Sequence, residues 1–342
     1  MNHRDTIDGC SRPLRNLRLS VTDRCNLRCR YCMPEENYTW LPTGEILSFE
    51  EISTLVDRFV AVGVRKVRLT GGEPLVRKDL AKLIALLAAK PLDDLALTTN
   101  GILLEELCGE LKAAGLTRIT VSLDTLSRTR FLKLTRRDLH AQVLAGIAAA
   151  RRVGLPLKLD TVLIRGVNDD EVLSLLDFAA KHDAEVRFIE YMDVGGATEW
   201  SMDQVVSRQQ LLAKLSSALG PVAPLAGRGS APAERFQLPD GRTFGIIAST
   251  TQPFCATCDR ARLTADGQLF TCLYATKGLD LKAPLRSHVG PEALEQLLRE
   301  TWAGRVDRGA EQRLALREAR GPLATQAQLK TQPHLEMHTR GG

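Results

Sequence analysis

Between Asn16 and Met192 short apolar runs alternate with amphipathic stretches. The runs Leu17–Val21, Lys66–Thr70, Leu95–Thr98, Arg118–Leu123, Leu157–Leu163 and Glu185–Ile189 are rich in Val, Ile and Leu, as strands covered on both faces are. Helical spacing of apolar residues falls between them, over Glu50–Val62, Leu80–Ala89, Leu103–Ala114, Ala141–Val153 and Asp170–His182, with Gly63, Gly115 and Gly154 placed as helix ends. Repeated strand–helix units predict a parallel sheet or barrel. After Gly195 the pattern changes. A helical run, Val205–Ala218, leads into a Gly/Pro/Ala-rich surface loop, then short strand patterns at Phe236–Leu238 and Thr243–Ala248 and helical ones at Pro291–Ala303 and Ala310–Ala319. The tail from Gln326 to Gly342 is polar and without period, and its terminal Gly-Gly by itself reads as a frayed end. Two units are expected, a barrel-like one over 1–196 and a smaller α+β one over 197–342.

In parallel α/β folds function gathers at the carboxyl ends of the strands. Here those ends carry the cysteine run, TGGEP (Thr70 to Pro74), TTNG (Thr98 to Gly101), SLDT (Ser122 to Thr125) and EYMD (Glu190 to Asp193). Lys158, Asp160 and Val162 alternate along one strand and share a face, either as a lining Lys and Asp or as a neighbour pair near the strand's start. Arg18, Lys66 and Arg68 also lie on strands, and Arg260 and Arg262 lie in CDRAR. Covered strands rarely carry charge, so inward arginines suggest a bound polyanion, which a guanidinium grips bidentately.

The cysteines carry the chemistry. Cys25, Cys29 and Cys32 form C-x3-C-x2-C inside VTDRCNLRCRYCMP, and Cys255, Cys258 and Cys272 form C-x2-C-x13-C. Each set offers three ligands where a closed zinc site normally needs four. A cluster held by three cysteines keeps one iron open to a substrate or cofactor. Zinc stays an alternative at the second set, with His182 or the C-terminal histidines as fourth ligand. Cys10 is left over, and Cys108 fits the buried face of a helix.

Composition narrows the classes. The 342 residues are 44% apolar, enough for a large core, and Lys plus Arg (46) exceed Asp plus Glu (41) by only five. That surplus is too small to argue for nucleic acid. No apolar run suggests a membrane span or a signal peptide, so a cytoplasmic protein with reduced thiols is expected.

With its C-x3-C-x2-C and Tyr31 before the last cysteine, the chain resembles radical S-adenosylmethionine (SAM) enzymes. Among them it resembles the GTP 3′,8-cyclase family of molybdenum-cofactor biosynthesis, over LRLSVTDRCNLRCRYCMP, VRLTGGEPLVRKDL, LTTNG, VSLD, RGVND, RFIEYMDVG, FCATCDRARLTADGQLFTCL and the final Gly-Gly. The resemblance implies an incomplete (βα)6 TIM-like barrel whose mouth the C-terminal region closes. It implies two 4Fe–4S clusters, one on Cys25, Cys29 and Cys32 that binds SAM, one on Cys255, Cys258 and Cys272 that faces the guanine of GTP. Tyr31, Gly72, Ser122 and Met192 would contact SAM. Arg18, Arg68, Thr99, Lys158, Arg260 and Arg262 would hold GTP. A 5′-deoxyadenosyl radical would take the ribose 3′ hydrogen and C3′ would attack guanine C8, giving (8S)-3′,8-cyclo-7,8-dihydroguanosine 5′-triphosphate. An external one-electron reductant, a downstream cyclic pyranopterin monophosphate synthase, a homodimer and a Gly-Gly tail in the site are further expectations.

Three residues depart from the family pattern. Asp160 and Asp259 stand where Asn is expected, and Arg340 where an apolar residue precedes Gly-Gly. A carboxylate near a triphosphate is mildly unfavourable; Arg340 would be tolerated in a phosphate-rich site. The alternative function is another radical SAM enzyme with an auxiliary cluster, acting on a peptide or RNA.

Overall fold

The computed structural model describes residues 5–287 and 289–341. Six parallel strands form its centre: β1 (Asn16–Ser20), β2 (Lys66–Thr70), β3 (Asp94–Thr99), β4 (Arg118–Ser122), β5 (Leu157–Leu163) and β6 (Glu185–Glu190). They pair in sequence order, each in parallel register with the next. Helices Phe49–Ala61, Leu80–Ala88, Leu104–Ala113, His140–Arg152 and Val172–Lys181 cover the sheet, as their apolar spacing requires. A further helix, Arg128–Thr135, is more polar, which hid it in the sequence pattern. The three glycines expected at helix ends follow those ends with φ of +121°, +102° and +66°.

The remaining strands are β7 (Ala223–Pro224), β8 (Glu234–Gln237), β9 (Thr243–Ile247), β10 (Arg260–Leu263), β11 (Gln268–Phe270) and β12 (Leu279–Asp280). They extend the same sheet at both edges. β10 runs parallel to β1, with Arg262 opposite Arg18, and β9 runs parallel to β6, with Gly245 opposite Arg187. The resulting order is β12-β11-β10-β1-β2-β3-β4-β5-β6-β9-β8-β7. One continuous apolar cluster spans the barrel helices and reaches Leu263, Phe244 and Trp302 of the C-terminal half. Among the described residues no helix is long and apolar enough to cross a membrane.

The polar tail, which the resemblance places at the site, is ordered against the barrel. It forms the helix Gln326–Thr331 and the 3₁₀ turn Met337–Arg340. Gly195 bridges Glu336, and a Cβ on Gly195 would meet the Leu335 carbonyl oxygen at 1.8 Å. Gly342 lies outside the described residues.

Candidate active site

The strand ends converge on one cavity, and both cysteine sets line it. Cys25, Cys29 and Cys32 lie on the loop after β1, closed by the Cys32 and Met33 N–H groups donating to Cys29 O. Gly196 packs under it with φ +96°, and a Cβ there would lie 2.0 Å from Cys32 O. Cys255 and Cys258 bracket a 3₁₀ turn before β10, and Cys272 follows β11.

The two sets have different surroundings. Burial, then the nearby Glu73 carboxylate, pushes the Cys25 thiol up to about 11. Burial and the neighbouring cysteines push Cys29 up. Burial, Cys25 and Glu336 do the same for Cys32, although the His338 backbone N–H bonds to it. Cys258 is also buried, but the Arg260 and Arg305 guanidiniums outweigh burial and bring its thiol down to about 7.

Carboxylates order the first region. Glu73 accepts from Thr99 Oγ1 (2.6 Å), Asn100 N (2.7 Å) and Leu75 N (3.0 Å); burial holds its pKa up at about 7 despite these bonds. Asp124 accepts from Tyr31 Oη at 2.5 Å and Val162 N at 2.9 Å, and burial raises it to about 6. Gly72 packs with its backbone against Arg24 O, where a Cβ would stand at 2.3 Å.

Between the two sets lies a band of guanidiniums. Arg18 (β1), Arg68 (β2) and Arg262 (β10) stand side by side in register, with Arg260 one alternation away. Burial first, then Arg262 and Arg260, holds Arg18 well below the usual guanidinium value. Arg68 is lowered by burial and by Arg18, and Arg262 is lowered to about 10 by burial and Arg260. Such crowding of like charge in a buried cavity calls for an anion. In this structure the tail supplies carbonyls: Arg18 Nη1 donates to Gly341 O (3.0 Å), and Arg262 Nη1 to Arg340 O (2.9 Å) and Gly341 O (2.8 Å). Arg68 donates to Thr98 and Thr120. Arg260 lies 5.0 Å from the Phe254 ring centroid.

Of the residues singled out in the sequence, Arg18, Cys25, Cys29, Tyr31, Cys32, Arg68, Gly72, Thr99, Ser122, Met192, Cys255, Cys258, Arg260, Arg262 and Cys272 all face this cavity. Lys158 does not. It sits at the start of β5, and its ammonium pairs with Glu185 at 2.8 Å. Asp160 does face the cavity, and its partner is not Lys158 but Arg187, which grips it bidentately at 2.6 and 2.8 Å. The sequence reading missed Arg187, although its alternation with Ile189 on β6 was a usable signal. Asp259 lies away from the cavity, held by Asn16 Nδ2 at 2.5 Å. The Arg340 side chain is wholly buried and turns to backbone carbonyls and an aromatic ring. Its Nη1 donates to Leu273 O (2.9 Å) and Ala275 O (2.5 Å), and it stacks on Phe270.

His182 caps its helix through Phe178 O, and His334 pairs with Asp266; neither reaches the cavity. His338 does, beside the first set, with its ring against Glu336. Among the described residues no three Cys, His, Asp or Glu side chains enclose a single ion. Each set presents three soft sulfur donors to the cavity, which is the donor chemistry of iron–sulfur clusters.

Comparison with known proteins agrees with this geometry. The Radical SAM superfamily profile matches residues 19–179, and Molybdenum Cofactor Synthesis C matches residues 184–311. The chain is 55% identical over 341 residues to GTP 3′,8-cyclase 3 of Mycobacterium bovis (strain ATCC BAA-935 / AF2122/97), covering 98% of this chain and 90% of that one. It is 50% identical over 319 residues to the GTP 3′,8-cyclase of Acidothermus cellulolyticus (strain ATCC 43068 / DSM 8971 / 11B), covering 90% and 88%. In fold it is similar to Streptococcus suis SuiB bound to S-adenosylmethionine, with a TM-score of 0.61 at 15% identity over 88% of this chain and 67% of SuiB.

Proposed function

We propose that this chain, which belongs to the GTP 3′,8-cyclase family of radical SAM enzymes, converts GTP to (8S)-3′,8-cyclo-7,8-dihydroguanosine 5′-triphosphate in the cavity lined by both cysteine sets. The observation that carries the reading is the crowd of guanidiniums that lines one cavity together with two three-cysteine sets. Cys25, Cys29 and Cys32 would hold the 4Fe–4S cluster that binds SAM, with Tyr31, Gly72, Ser122 and Met192 around the cofactor. Cys255, Cys258 and Cys272 would hold a second 4Fe–4S cluster at the guanine. Together with SAM, the cluster on Cys25, Cys29 and Cys32 would supply the 5′-deoxyadenosyl radical that takes the ribose 3′ hydrogen before C3′ bonds to C8.

The protein's own part is binding, orientation and exclusion of water. Arg18, Arg68, Arg260 and Arg262 fix the triphosphate by charge-assisted bonds. Thr99, already bonded to Glu73, is a polar wall rather than a free donor. Asp124 holds the Tyr31 ring in place. Arg340 pins the tail across the mouth, so that the Gly341 carbonyl reaches Arg18 and Arg262. An external one-electron reductant and a downstream cyclic pyranopterin monophosphate synthase complete the scheme.

An anaerobic assay tests it. Reconstituted protein, SAM, dithionite and GTP should yield 5′-deoxyadenosine and the cyclic nucleotide together. Release of 5′-deoxyadenosine that does not depend on GTP, with no cyclic product, would count against the reading.

A further inference from the structure

A buried ionic seat lies under the second cysteine set, built from parts of the chain that carry no motif. Asp8, Arg12 and Arg305 have side chains only 0%, 2% and 1% exposed. The Asp8 carboxylate accepts from Arg12 Nε at 2.6 Å and Arg305 Nη1 at 3.2 Å, as well as from the Cys10 and Arg12 N–H groups. From this seat the guanidiniums reach up to the cysteine-bearing loop. Arg12 Nη1 donates to Cys255 O (2.9 Å) and Asp307 O (2.8 Å). Arg305 Nη1 donates to Cys258 O (2.8 Å). The Asp307 carboxylate accepts from Thr271 Oγ1 at 2.5 Å, next to Cys272. One network therefore touches both stretches that bear the second set, at Cys255, at Cys258 and beside Cys272. Trp302 closes it from below, donating Nε1 to Arg12 O at 3.0 Å with the Arg305 guanidinium 4.5 Å from its ring centroid.

The seat carries a charge surplus. Two buried guanidiniums face one buried carboxylate. Asp307, 4.0 Å from Arg305 Nε, is about one-third exposed, so solvent screens its contribution. Arg12 Nη2 and Arg305 Nε are buried with no hydrogen-bond partner. Buried surplus charge calls for a counter-ion, and a cluster held by three thiolates is one. The first set is richer in carboxylates and has one guanidinium beside it. Glu73, Asp124 and Glu336 surround it, and its neighbour Arg28 directs its guanidinium to the carbonyls of Cys25, Leu27 and Glu36.

We propose that Arg305 and Arg12 are positioning residues for the second cysteine set and that their surplus charge makes its cluster easier to reduce than the cluster at Cys25, Cys29 and Cys32. The inference rests on the two-cluster reading above. Reduction adds one negative charge to a cluster; a buried cation nearby favours that step and a carboxylate opposes it. The first site thus keeps the stronger reductant, where SAM must be cleaved.

The test is an EPR-monitored redox titration of the anaerobically reconstituted full chain, with Cys25→Ala used to assign the two signals. The second midpoint should lie above the first. Arg305→Gln should raise the oxidised-to-reduced ratio of the second cluster about tenfold at fixed potential, a 59 mV fall for a one-electron couple, with iron content unchanged. Arg305→Lys should shift it much less. Asp8→Asn, which removes the buried negative charge, should shift it the other way. If Arg305→Gln sheds iron, Arg12→Gln carries the same expectation. Equal potentials in the wild type, or a shift of the same sign in Arg305→Gln and Asp8→Asn, would overturn the inference alone. A second site that takes up no iron would overturn the two-cluster reading and this inference with it.

Discussion

The two cysteine regions share a donor set and differ in almost everything around it. The first is one short loop after β1, packed on glycine backbone and ringed by carboxylates. The second is assembled from a 3₁₀ turn before β10 and the strand end after β11, and it rests on guanidiniums. A compact motif builds the first locally, whereas distant segments build the second. Identical ligands can therefore be given different electronic roles by residues that never touch metal.

The sharpest way to break this comparison is to remove one ligand from each side. Cys25→Ala should abolish SAM cleavage, a loss of roughly a thousandfold or more given that the radical chemistry is the cofactor's, and should halve the iron of the reconstituted chain. Cys258→Ala should lose as much iron yet still release 5′-deoxyadenosine, with no cyclic product. Iron analysis and chromatography of both nucleoside products decide it; equal loss of cleavage in both variants would show that the regions are not separable.

Backbone packing gives the next largest effect. Gly196→Ala would drive a Cβ into Cys32 O from a positive φ. The cost should be on the order of 3 kcal/mol, seen as a lower unfolding temperature and as poor iron uptake by the first region alone. Normal loading would mean that the loop yields freely.

Between the regions, Arg262→Ala should weaken GTP binding about tenfold or more, since a charge-assisted bond contributes roughly 1.5–3 kcal/mol, and should leave both iron contents intact. Calorimetry with GTP measures it, and unchanged affinity would assign this guanidinium to the tail only. Arg340→Met removes two bonds to the loop after Cys272. Cyclic product should fall about fivefold, as for roughly 1 kcal/mol, with SAM cleavage retained. Asp160→Asn is the mildest change. It loosens the bidentate hold on Arg187 and removes a carboxylate from the cavity. GTP affinity should rise about threefold, roughly 0.6 kcal/mol, the scale of one charge repulsion removed across a cavity that water reaches. Weaker binding in this variant would mean that Asp160 serves chiefly to orient Arg187.

Much of the barrel was legible in the sequence because each strand–helix unit carries its own period and its own glycine stop. The first cysteine set and the strand-end residues were legible for the same reason: they are local. Of the edge strands, β8 and β9 showed in the pattern and β10, β11 and β12 did not. β10 is four residues long and reads as part of the CDRAR motif until β1 is seen beside it. Alternation left Lys158 open because it identifies a face and says nothing of depth along the strand; at the strand's start its partner is Glu185 rather than Asp160. Pattern alone gave no place for the tail because its anchors, Arg18, Arg262 and the Leu273 carbonyl, are distant in sequence. Asp8, Arg12 and Arg305 gave no signal at all. An isolated charge in a polar stretch looks solvated until tertiary contacts bury it.

The pairing of β1 with β10 and of β6 with β9 also bears on how the chain folds during synthesis. Leu17 leaves the ribosome long before its partner Ala261, and Arg187 before Gly245. Through that interval the nascent barrel carries two open parallel edges, each a template for wrong pairing. The order of synthesis makes the half-made sheet the most aggregation-prone species in this protein's life, and a fragment ending near residue 196 should collect in inclusion bodies where the full chain does not.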